Sequence, residues 1–171
     1  MKILILSIAF FFTSNTFVYS QIKTSEFDVN MDGKVDKVKL DTISNIYTFF
    51  YTKDNIIISK KIDFFKNYAA TTAVIDMRIK DDNMTFKISY APKYNDFDIV
   101  NFTYLKNKDD WYLSDILTHR FNPLDKNLIS TECNFKNCKL KKISLRKNNF
   151  EMIQQIVAST KNKKCRSFSE E

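Results

Sequence analysis

Thr71-Thr72-Ala73-Val74-Ile75-Asp76-Met77-Arg78-Ile79-Lys80-Asp81-Asp82-Asn83-Met84-Thr85-Phe86-Lys87-Ile88-Ser89-Tyr90 is the stretch that decides the fold class. In its second half Met84, Phe86, Ile88 and Tyr90 alternate with polar residues. A period of two puts those four side chains on one face of a strand, where a helix would scatter them. Asp81-Asp82-Asn83 is turn chemistry, so residues 71–80 and 84–90 are expected to fold back on each other as a hairpin. The same pattern recurs on both sides. Residues 45–52 and 56–62 flank Lys53-Asp54-Asn55, and residues 97–105 and 111–118 flank Asn107-Lys108-Asp109-Asp110. Trp111, Leu113 and Ile116 are the expected core anchor of that last hairpin.

Helix is expected once, near the C-terminus. Phe150, Ile153, Ile156 and Val157 share one face at helical spacing over residues 150–160, with Asn148 or Asn149 as cap. Residues 140–145 are expected to add a strand, residues 63–70 are open between a short helix and a loop, and the tail from Lys161 is expected to fray apart from Cys165. The chain shows no fixed-period repeat.

The chemistry concentrates in Phe27-Asp28-Val29-Asn30-Met31-Asp32-Gly33-Lys34-Val35-Asp36. Counting from Asp28, side-chain oxygens fall at positions 1, 3, 5 and 9, and the chain's single glycine, Gly33, stands at position 6. Hard oxygen ligands in that order, with a glycine for the sharp turn and the backbone carbonyl of Lys34 next, are the arrangement of a calcium loop. The competing reading is a solvated Asn/Asp turn. A helix–loop–helix site would need a bidentate glutamate at position 12, where Lys39 stands. The alternation of Lys37-Val38-Lys39-Leu40-Asp41 sends the loop into a strand instead.

These residues resemble the Asp-x-Asn-x-Asp-Gly-x-x-Asp loops of FG-GAP/VCBS-type repeats, and a small strand-rich chain carrying such a loop resembles bacterial periplasmic immunity proteins. The resemblance covers the loop and its exit strand. It implies a calcium ion held by Asp28, Asn30, Asp32 and Asp36 through side chains and by Lys34 through its carbonyl. It also implies inhibition of a secreted toxin or cell-wall hydrolase by occlusion. The expected fold is therefore mainly β: antiparallel strands and hairpins in a curved or partial propeller-like sheet, with one C-terminal helix.

Lys2, the apolar run Ile3 to Phe12 and the polar segment ending Val18-Tyr19-Ser20 have the layout of a secretory signal peptide over residues 1–20. Residues 21–171 are then one β-rich domain, periplasmic or secreted, and nothing later has the length and hydrophobicity of a transmembrane span. Outside the cytosol, Cys133, Cys138 and Cys165 are candidates for one disulfide, with the pairing left open.

The net charge of +7 favours acidic partners or anionic surfaces, but its lysines are scattered and give no nucleic-acid signature. His119 is the only imidazole and is expected to be an ordinary surface residue, with no local nucleophile elbow or phosphate loop beside it. Asp81-Asp82 and Asp109-Asp110 lie where turns are expected, so paired-carboxylate chemistry is not favoured. The aromatics Tyr47, Phe49, Tyr51, Phe97, Phe102, Tyr104, Trp111 and Tyr112 are expected mainly in the core, and a strand with Phe50 on its second face offers a protein interface. The expected function is thus a calcium-binding interaction domain acting on another protein, not an enzyme. The rival readings are a basic module for anionic envelope glycan or lipid headgroups, and a calcium-dependent hydrolase.

Overall fold

The computed structural model describes residues 22–63, 73–91, 95–124, 129–135, 140–145, 153, 155–157 and 163–169. The expected signal peptide, most of residues 63–70, Cys138 and the ends of the expected helix lie outside these. The described chain is mainly β, with two antiparallel sheets and one short helix. In the first sheet β1 (Ile22–Phe27), β2 (Asp36–Asp41), β3 (Ile46–Lys53) and β4 (Ile56–Ile62) stand in chain order. The second holds β5 (Ala73–Lys80), β6 (Asn83–Tyr90), β7 (Phe97–Leu105), β8 (Asp110–Phe121), β9 (Ile129–Phe135) and β10 (Lys163–Ser169), again as neighbours in chain order.

The alternation in the sequence is what the sheets bury. Met84, Phe86 and Ile88 on β6 and Val100 and Phe102 on β7 are almost fully enclosed. Along β8 the buried set changes parity, from Trp111 and Leu113 to Ile116 and Thr118. The register shift opposite Asn101 and Phe102, which leaves Ser114 as the extra residue, makes that change. Val38, Tyr47, Phe49 and Ile62 form the inner side of the first sheet. The two sheets meet there: the Tyr47 ring stands edge-on to Phe86 with centroids 5.5 Å apart, and its hydroxyl donates to the Ile75 carbonyl. Burial, aided by the charge of Asp76, pushes the Tyr47 phenol well above its ordinary pKa.

Turns follow their residues. Asp54 and Asn55 both have positive φ, 51° and 63°, and Lys53 pairs with Ile56 across them. That is a two-residue turn whose twist matches the flanking strands.

Three expectations change. Residues 140–145 are not a strand: Leu140–Lys142 is a 3-10 turn closed by Ile143 N–H donating to the Leu140 carbonyl, followed by a single bridge from Ser144 to Tyr112. Leu140, Ile143 and Leu145 are all buried. A strand would send Leu140 and Ile143 to opposite faces, whereas the turn lets both pack into the one core cluster. The tail does not simply fray, because Lys163–Ser169 pairs along β9. Residues 153 and 155–157 are helical as expected, with Ile153 buried and Ile156 and Val157 against the core. Finally, His119 is not a surface residue: β8 runs on to Phe121, and His119 is buried within it.

Candidate metal loop and its surroundings

The loop fills the gap between two paired strands. Phe27 and Asp36 are register partners, so the segment from Asp28 to Val35 is the connection of the β1–β2 hairpin. A strand on each side replaces the helices of a helix–loop–helix site. Within the connection Gly33 takes φ +84° and Met31 takes φ 57°. Nothing lies within 4 Å of where a Cβ on Gly33 would sit, so glycine is needed there for backbone conformation and not for space.

Asp28 organises the turn. Its two oxygens accept from the backbone N–H groups of Asp32 at 3.1 Å and Gly33 at 2.8 Å, which are loop positions five and six. Asn30 Oδ1 accepts from Asp32 N–H at 3.3 Å, and Asp32 Oδ1 accepts from Lys34 N–H at 2.9 Å. Asp36 turns back from the start of β2, where its Oδ2 accepts from Val29 N–H at 2.8 Å in a buried position. Burial pushes the Asp36 carboxyl above its ordinary pKa against the pull of that hydrogen bond, and the charges of Asp32 and Asp28 push the same way. A buried carboxylate with two like charges close by is electrostatically short of a cation.

The donor set fits a hard cation in kind. A carboxylate oxygen that accepts one N–H keeps a second lone pair, so backbone hydrogen bonds and metal ligation are not exclusive. The backbone turn is formed. The carboxylates are not gathered, however: among the described residues no group of three or more His, Cys, Asp or Glu is placed to hold a metal ion.

The loop is tied to the rest of the molecule at two points. Trp111 Nε1–H on β8 donates to the Val29 carbonyl at 2.9 Å, and Asn30 Nδ2 donates to the Thr52 carbonyl at the end of β3. Val29 itself is buried in the shared core. Beside this anchor, a cavity of ≈ 20 Å³ is bordered by Asn30, Lys60, Tyr104, Asp110 and Trp111, room for about one water. Asp110 accepts from Ser144 and sits 3.6 Å from Lys60 Nζ, while Asp109 accepts from Tyr104 at 2.6 Å and pairs with Lys53. The Asp109-Asp110 pair therefore binds the ends of the two sheets together. The sequence marked Trp111 as core, but an indole partner 82 residues away leaves no local signal.

His119, Cys133 and Cys165 sit toward the β10 edge of the second sheet. Cys133 and Cys165 are register partners on β9 and β10 and form the disulfide. Cys138 lies outside the described residues. Glu132 accepts a two-pronged contact from Arg166, which holds its carboxyl below the ordinary pKa, with His119 Nδ1 3.5 Å away on its other side. His119 stacks flat on Phe97 at 4.6 Å between centroids and lies 6.1 Å from Phe168.

Of the aromatics expected in the core, Tyr47, Phe49, Phe102, Tyr104 and Trp111 are buried there, Tyr51 is half-buried against it, and Phe97 and Tyr112 are half-buried with Lys87 and Lys108 over their rings. Phe50, expected on the second face of its strand, is half-buried with Lys39 over its ring. No helix among the described residues is long and apolar enough to cross a membrane. Compared with protein-family models, with curated proteins and with solved structures, the chain finds no match.

Proposed function

We propose that this chain is an exported binding protein in which a calcium ion fastens the β1–β2 hairpin, and that it acts by covering a surface of another protein. Asp28, Asn30, Asp32 and Asp36 would supply side-chain oxygens and Lys34 its carbonyl. The ion would supply charge compensation for three carboxylates and cross-link both ends of the connection; no step of bond chemistry is asked of it. The observation that carries the reading is the turn at Gly33, with Asp28 accepting from positions five and six and φ +84° at the glycine. That is the chain path a convergent oxygen loop requires.

The rest of the molecule supports a binding role over a hydrolytic one. The Asp109-Asp110 pair is occupied by Lys53, Tyr104, Lys60 and Ser144, and His119 is enclosed between aromatic rings and Glu132. The resemblance of the loop and the exported, β-rich chain to periplasmic immunity proteins makes a secreted toxin or cell-wall hydrolase the target class. Isothermal titration with calcium tests the metal part: extracellular calcium modules bind at about 10⁻⁴–10⁻³ M. One binding event in that range, lost in Asp32→Ala, is the expected result. No heat in the wild type, with a melting curve unchanged by calcium, would overturn it.

A further inference from the structure

The outer face of the first sheet carries a hollow that begins at the end of the loop and runs over β2, β3 and β4. It measures ≈ 330 Å³ and is bordered by Val35, Asp36, Lys37, Lys39, Phe50 and Ile57. Phe50 is its half-buried floor, with Lys39 Nζ 5.2 Å from the ring centroid. Val35 is 72% exposed and Ile57 77%. By register, Lys37 pairs with Phe50, Phe50 with Ser59, Lys39 with Thr48 and Thr48 with Lys61. Side chains of directly paired residues share a face, so Lys37 and Lys39 stand beside the aromatic floor and Lys61 lies on the same face one pair further along. Glu26, opposite Lys37, and Asp41, beyond Lys39, are acids of that face, and Asp36 borders the hollow with its carboxylate turned in to the Val29 N–H.

We infer that this face docks an acidic segment of a partner protein, with one apolar side chain of that segment seated on Phe50. The inference rests on the reading of the chain as a binding protein and names the surface it uses. Charge selects the occupant: Lys37 and Lys39 at the rim of the hollow and Lys61 on the same face, on a chain of net charge +7, attract carboxylates. A second copy of this chain would bring the same lysines face to face. A bilayer has no projecting side chain for a hollow of this volume, whereas a partner's Leu or Phe fills such a pocket as an interface anchor.

The edge strands point the same way. β4 ends the first sheet with Ile56 and Ile57 exposed, 66% and 77%, and β5 ends the second with Asp76, Arg78 and Lys80 exposed beside Val74. Charge on an edge discourages pairing with other chains, and β4 has none over its first half.

The test uses the purified protein, isotope-labelled for amide resonances, and two short extended peptides as probes, one alternating glutamate with leucine and one alternating lysine with leucine. The glutamate peptide is expected to move amide signals of β2, β3 and β4, to saturate, and to weaken as salt is raised. Phe50→Ala is expected to weaken it about tenfold. Ile57→Asp, at a position exposed enough to leave the fold intact, is expected to do the same.

Absence of glutamate-peptide binding, equal binding of the lysine peptide, signals moving mainly on the second sheet, or unchanged affinity in both variants would each overturn the inference. So would binding confined to phosphatidylglycerol vesicles offered in place of the peptides. The calcium-dependent melt of the same samples reports on the loop separately, so a failed docking surface and a failed calcium site give different results.

Discussion

The first and last strands described in this protein, β1 and β10, pose one problem and solve it differently. Every residue of β10 is exposed, and so is β1 apart from half-buried Phe27. Each strand ends its sheet and so has one neighbour. Neither buries enough apolar surface to offset the entropy of ordering it. β10 is fastened covalently by Cys133–Cys165, with Arg166–Glu132 and Thr131–Ser167 alongside. β1 is continuous with a polar loop whose hydrogen bonds fold it onto β2, and that loop is pinned to the core by Trp111. One latch is redox-dependent. The other is, on our proposal, ion-dependent.

Removing the shared anchor should have the largest effect. Trp111→Ala deletes a buried ring and leaves the Val29 carbonyl without its indole donor, at a cost of about 3–5 kcal/mol in a denaturant titration. Trp111→Phe keeps most of the packing and sharpens the comparison. It should cost about 1–2 kcal/mol and speed amide exchange in the loop and β1 while leaving β10 unchanged.

Next is the covalent latch. The cysteines lie 32 positions apart, and opening a loop of that size costs about 3–4 kcal/mol on the chain-entropy account. Removing a native bridge from a small secreted domain costs about 2–5 kcal/mol, so Cys165→Ser is expected to cost about 2–4 kcal/mol. Protection should be lost in β10 and retained in β1. Acid should loosen the same end further, because Glu132 has a depressed pKa in the folded protein. Its contribution is present above the unfolded carboxylate pKa and is lost as pH falls through the folded one.

Calcium should matter less. At ten times the dissociation constant it stabilises by about 1.4 kcal/mol, and the melting midpoint rises by about 3–6 °C. Asp32→Ala should remove the shift. The smallest effect is expected from Asp36→Asn, and its sign is diagnostic. The folded carboxyl of Asp36 has a raised pKa, so without metal the folded state loses stability as pH rises through the window between the ordinary and the raised value. In EDTA at neutral pH the asparagine variant should therefore melt slightly above the wild type, and in calcium it should fall below it.

The same contrast explains what could be read from the chain. β6 and β7 were legible because Met84, Phe86, Ile88 and Phe102 alternate with polar neighbours, and burial is what alternation encodes. β1 and β10 carry no such signal: Lys163, Lys164 and Arg166 look like a solvated tail because the strand is held by a bond and an ion pair and not by a core. Residues 140–145 failed for a different reason. Apolar content reads alike for a strand and for a buried turn, and only the odd spacing of Leu140 and Ile143 tells them apart. In the loop, residue types and the need for glycine at position 33 were legible, since both are local. Its fastening to Trp111 and Thr52 was not, since both partners are distant in sequence.

Amide hydrogen exchange resolved by strand, with calcium or EDTA and with or without a reductant, tests the account most directly. Calcium should slow exchange across residues 22–41 and leave residues 163–169 unchanged, and the reductant should do the reverse, speeding 163–169 alone. If calcium leaves residues 22–41 exchanging as they do in EDTA, the loop is an ordinary Asn/Asp turn and the ion-dependent latch does not exist.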